Sequence, residues 1–195
     1  MSRNKMALTA AAGLFLFAFH LSAQTDNPPP AQTGVLPPTY LENFELQTNT
    51  ILVRGFSLAG SVVLGNYTLV VHANEVNDMT HSQKAYGVVM NLRLSNSDAD
   101  TQVEWVMDYD ELDSLANALD YISKVTWGVT QLNGFEATYK TKSGFRLVAH
   151  SDRKDQTVAT SIQFGDSPRI PASSDQLLQI RSLISQAKAT LDALK

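Results

Sequence analysis

Residues 67–74 read YTLVVHAN and residues 145–152 read FRLVAHSD, 78 positions apart. A chain that writes nearly one phrase twice is built from two like units, and that constrains its fold more than any other feature. Leu69-Val70 matches Leu147-Val148, Tyr67 matches Phe145, and His72 matches His150. Both phrases are rich in β-branched and aromatic residues and follow a glycine, Gly65 or Gly144. They read as strands entered through tight turns. Side chains alternate along a strand, so Tyr67, Leu69, Val71 and Ala73 share one face, expected to be core. Phe145, Leu147 and Ala149 share the equivalent face. His72, Asn74, His150 and Asp152 point the other way.

The likeness extends outward. Arg54-Gly55-Phe56 precedes Asn133-Gly134-Phe135 by 79 residues. A further strand follows each phrase, over 85–95 and 157–165. The first half adds QVEWVM (102–107), whereas the second has only Arg169-Ile170-Pro171, which the proline ends. Each half closes on a predicted helix, over 108–125 and 173–194. A shift of 65 lays Leu112 on Leu177, Leu115 on Ile180, Leu119 on Ile184 and Ile122 on Ala187, at one-face helical spacing. The same shift lays Asp108-x-x-Glu111 on Ser173-x-x-Gln176, and both read as capping boxes. A sheet or helix that buries one face needs a second layer, and two like units supply it to each other. The expected fold is therefore α+β: two β-β-β-β-α repeats, about 44–127 and 128–195, related by a pseudo-twofold axis within one domain (40–195).

This element order resembles the Whirly-type single-stranded-DNA-binding fold, which has two β4α units, over roughly residues 44–194. The resemblance implies the fold. In that family a basic, aromatic-studded sheet edge and a lysine-rich strand motif take the DNA strand. This chain has no such motif, because Lys84, Lys124, Lys140, Lys142 and Lys154 are scattered among acids. No family residue carries over, and a single-stranded nucleic-acid binder stands as the disfavoured alternative.

The beginning of the chain reads as an address. Arg3 and Lys5 precede an apolar run from Ala7 to Leu21, and Leu21-Ser22-Ala23 offers a small residue for cleavage. This is the pattern of a secretory signal peptide (1–23) cut after about Ala23, with an uncleaved anchor as the alternative. Residues 24–39 hold five of the seven prolines and read as an extended tether. The expectation is a secreted or periplasmic protein without stable membrane insertion. The net charge is −4, and without Arg3 and Lys5 it is −6, which disfavours polyanionic partners. There is no cysteine, so neither a disulfide nor a thiol nucleophile is available.

The chemistry-bearing residues are few. His72 and His150 are structural equivalents, and with Asn74 or Asp152 they form a candidate zinc or copper site. Asp108, Asp110, Glu111 and Asp113 lack the central glycine of a calcium loop and read as a helix cap and first turn. His81 lies in a polar loop and reads as solvated. Trp105, Trp127, Tyr109 and Tyr121 cluster around the first helix and read as packing residues. No G-x-S-x-G elbow, phosphate loop or paired acid/base motif is present. The reading is an exported, non-catalytic binding or accessory protein without a cofactor, for a protein or small-ligand partner.

Overall fold

The computed structural model describes residues 38–94, 102–152 and 156–195. The signal-peptide reading, His20 and nearly all of the proline-rich segment lie outside the described residues. Among the described residues, eight strands and three α-helices run in the order α1 (Tyr40–Glu45), β1 (Leu52–Leu64), β2 (Tyr67–Asp78), β3 (Gln83–Leu94), β4 (Gln102–Asp108), α2 (Leu112–Lys124), β5 (Glu136–Lys140), β6 (Phe145–Asp152), β7 (Thr157–Phe164), β8 (Ile170–Pro171) and α3 (Ser174–Asp192). They form two four-stranded antiparallel sheets, β1-β2-β3-β4 and β5-β6-β7-β8. The fold is α+β, and each sheet is followed by its helix.

The alternation read from the repeated phrases decides the core. Leu69, Val71, Ala73, Phe145, Leu147 and Ala149 are buried in one cluster with both helices. Every helix position paired by the 65-residue shift is buried: Leu112 and Leu177, Leu115 and Ile180, Leu119 and Ile184, Ile122 and Ala187. The two units cover each other. α3, from the second, lies against β1, β2 and β3 of the first, whereas α2, from the first, lies against β6 of the second. Trp105 of β4 packs on Phe164 of β7, with ring centroids 3.6 Å apart, so an aromatic pair joins the two sheets directly. Of the other aromatics near α2, Tyr109 and Trp127 are half-buried and Tyr121 is exposed. Among the described residues no helix is long and apolar enough to cross a membrane.

α1 was not expected. Thr39 and Glu42 form a complete capping box at its start: the Glu42 amide donates to Thr39 Oγ1 (3.1 Å) and the Thr39 amide to Glu42 Oε2 (2.6 Å). Leu41 and Phe44 then cover the outer face of the first sheet over Val76, Ala85, Val89 and Val106. β3 is thereby buried on both faces for most of its length. Gly87 makes the approach possible, since a Cβ there would stand 2.8 Å from Leu41 Cδ2 and 2.5 Å from Met107 O.

One expected cap forms and the other does not. Ser173 and Gln176 make a capping box on α3. Asp108 makes no such bond, and the chain passes through a 3₁₀ turn at Tyr109–Glu111 before α2 begins at Leu112. The reason is competition from distant donors. Asp108 accepts the amides of Tyr40 (2.9 Å) and Leu41 (3.0 Å) at the start of α1. It also accepts Lys142 Nζ (3.2 Å) from the β5–β6 turn. Glu111 Oε1 takes the Lys142 amide at 2.8 Å. Both acids are buried, so these bonds replace water that neither can reach.

This arrangement separates two roles. Serine serves an N-cap about as well as aspartate, but it cannot accept two amides and an ammonium together. Asp108→Ser is expected to lower unfolding stability by about 2–4 kcal/mol in urea titrations. Asp110→Ser, at an exposed partner of the same lysine, is expected to stay within ~0.5 kcal/mol. Equal, small effects would return Asp108 to a simple cap.

Candidate binding face and open edge on the first sheet

β1 is one edge of the first sheet and its longest strand, thirteen residues. α3 covers its second half. Leu183 rests on Gly60, and Gln176 Nε2 donates to Val63 O at 2.8 Å. A β-bulge between Leu58 and Gly60 marks where that cover begins. Before the bulge every residue from Val53 to Leu58 is exposed. Phe56 is 74% and Leu58 64% exposed, on the outer face; Val63, past the bulge, is 61% exposed. Opposite them on β2 stand Asn74 and His72. The Phe56 and His72 rings meet edge to face at 6.4 Å. Asn74 Oδ1 is buried and finds no donor among the described residues, so an unsatisfied acceptor sits beside the apolar row. On the inner side a groove of about 260 Å³ opens between Gly55, Ser57, Ala73 and Glu75 and the end of α3 at Leu191 and Leu194.

Charge is sparse on this strand. Arg54 is its one charged residue. It is held 2.6 Å from Glu45 at the end of α1. Burial pushes the Glu45 carboxyl above its ordinary value; the Arg54 guanidinium opposes this and nearby Glu104 adds to it.

The second unit offers a control within the same molecule. His72 faces Leu58, and His150 faces Glu136 at the matching place. β5 exposes Glu136, Thr138 and Lys140, and Glu136 pairs with Arg169 at 3.2 Å. A charged edge repels further strands, whereas an apolar one invites them.

His72 and His150 lie on separate sheets, beside core residues Val71, Ala73 and Ala149, and so on the faces turned away from the shared core. His72 is half-buried and His150 exposed. Among the described residues no group of three or more His, Asp or Glu side chains is gathered to hold a metal ion. His81, expected to be solvated, keeps its ring half exposed but sets Nδ1 2.6 Å from Asp78 Oδ2. Asp78 is buried and also accepts the amides of Thr80 (2.8 Å) and His81 (3.0 Å) and the Thr50 hydroxyl. Those bonds close the β2–β3 turn and leave no free oxygen for chemistry.

The sequence marked Arg54-Gly55-Phe56 only as a sign of repetition. The signal for the open face was there in GFSLAGS, where large Phe56 and Leu58 alternate with Gly55, Ser57 and Ala59. No family model, curated protein or solved structure matches this chain.

Asp78 sets a pH expectation. Burial raises its carboxyl, but the hydrogen bonds from Thr50, His81 and Thr80 outweigh that and hold it well below the usual carboxylate range. A depressed folded value stabilises fully above the unfolded value of about 3.9 and is lost as pH falls toward the folded one. The stability difference between wild type and Asp78→Asn is expected to be constant above about pH 5 and to shrink below about pH 4. Paired urea titrations across pH 2.5–8 check this, and a difference independent of pH would contradict it.

Proposed function

We propose that this protein works by binding, not by catalysis, as an exported accessory component that meets its partner through the outer face and open edge of β1. The observation that carries this is the exposure of Phe56 and Leu58 side by side in a regular strand. Water is a poor environment for such a row, and a contiguous apolar patch on a folded protein marks an interaction surface. The neighbouring His72 ring extends the aromatic surface. The acids Glu45 and Glu75 flank the strand, which supports a neutral partner over a polyanion. Export is supported by the charged and apolar pattern of residues 1–23.

The double substitution Phe56→Glu and Leu58→Glu tests the reading. Both side chains are exposed, so the melting temperature is expected to move by no more than ~2 °C. Proteins retained from an envelope extract by the wild type are expected to fall at least about tenfold with the variant. Identical retention would remove the face from function. Thermal-shift measurements with zinc, sugars and single-stranded oligonucleotides run alongside. A zinc-dependent rise abolished by His72→Ala with His150→Ala would replace this reading with metal binding.

A further inference from the structure

We propose that the open edge of β1 pairs antiparallel with β1 of a second copy of this chain, about a twofold axis at Gly55, joining the two first sheets into one of eight strands. This rests on the binding reading above and names its partner.

The direction of the backbone comes first. Ile51 O accepts the Met79 amide at 2.9 Å, so Ile51 turns its polar groups toward β2 and β3. Alternation then turns the N–H and C=O of Leu52, Arg54, Phe56 and Leu58 toward the free edge. No hydrogen bond from a described residue reaches them there. An extended strand is the partner that satisfies such a row in full. Beyond Leu58 the bulge bends the strand away, and Gln176 already occupies the Val63 carbonyl. The stretch open for pairing is therefore 52–58, of which 53–58 is exposed throughout.

The chemistry of 52–58 selects a second copy. In a register centred on Gly55, Leu52 stands opposite Leu58 of the other chain and Arg54 opposite its Phe56. Apolar meets apolar, guanidinium meets aromatic ring, and no like charges oppose. Gly55 meets Gly55 on the axis, where no side chain obstructs. Leu52, Phe56 and Leu58 of both copies then share one face of the joined sheet, so the exposed apolar row of one copy continues into that of the other. Proline is missing here and the one charge, Arg54, is already paired with Glu45, whereas β5 carries Glu136 and Lys140 at its own edge.

The absence of cysteine makes the test clean. Gly55 would sit in a non-hydrogen-bonded pair, with Cα atoms about 4.5 Å apart, within the range a disulfide spans. A Cβ at Gly55 meets nothing closer than Glu75 Oε2 at 3.9 Å, so cysteine fits. Val53 would instead face Ser57 of the other copy, leaving the two Val53 residues about 13 Å apart. The full chain carrying Gly55→Cys, Val53→Cys or Ser57→Cys is exposed to oxidised glutathione and run on a non-reducing gel. Gly55→Cys is expected to give covalent dimer at least tenfold faster than either other single variant, and Val53→Cys with Ser57→Cys in one chain to restore it. Equal rates for all three, or no dimer from either Gly55→Cys or the double variant, overturn the proposal. A mixed disulfide only with a different polypeptide also overturns it. In each of those cases, loss of retained proteins by the Phe56→Glu and Leu58→Glu variant keeps the binding face and rejects only the second copy.

Discussion

The carboxylate of Asp108 is the point on which the arrangement of this protein turns. It lies at the end of β4, and through it three segments far apart in the chain are held at one place: the start of α1, the entry to α2 and the β5–β6 turn. A buried anion demands donors, and each donor it takes fixes an element. With Tyr40 and Leu41 seated, α1 lies over Val76 and Val89, and the outer face of the first sheet is half closed. With Lys142 seated, the second unit is tied to the first beside the helix that covers it. Asp110 and Asp108 hold the Lys142 ammonium above its ordinary value, which keeps the tie charged across the neutral range.

From that tie follows where cover ends. Each unit lends its helix to the other, so both inner faces are covered. The outer face is not, because only the first sheet has α1, and six residues of helix cover no more than β2 to β4 and Leu52, with Glu45 meeting only the Arg54 side chain beyond. α3 packs closely on β1 beyond the bulge and faces the earlier residues only across the groove at Leu191. The strip between these covers is Val53–Leu58. Its exposure is a consequence of two helix lengths and one bulge, and it leaves β1 with a free hydrogen-bonding edge over that stretch.

Much of this was legible in the sequence, and what was not has a physical reason. Burial follows periodicity, so the alternation in YTLVVHAN and FRLVAHSD and the helical spacing of Leu112, Leu115 and Leu119 gave the core correctly. Caps are less legible, because an acid before a helix serves equally as a cap or as an anchor for distant amides. Asp108-x-x-Glu111 and Ser173-x-x-Gln176 look alike in the sequence, yet only the second closes on itself. The α1 box at Thr39 and Glu42 was readable in TYLE, but six residues after two prolines carry too little periodicity to stand out. Exposure of Phe56 and Leu58 was the least legible. A strand with alternating large side chains announces a buried face, and only the reach of α1 and α3 shows that no layer covers it.

The divergence of the two units points to the same strand. Inside, matching positions keep matching character, because each fills the common core. Outside, nothing compels a match, and there the units differ at the residue facing each equivalent histidine: Leu58 in one, Glu136 in the other. The chain thus carries the means to blunt a sheet edge and applies it at β5. β8 is cut to two residues, which also leaves little edge to extend. Both edge strands of the second sheet are charged or short, whereas β1 is long, regular up to its bulge and nearly free of charge. An apolar edge held open by surrounding order, with its equivalent guarded in the same molecule, has the properties of a surface built to be paired.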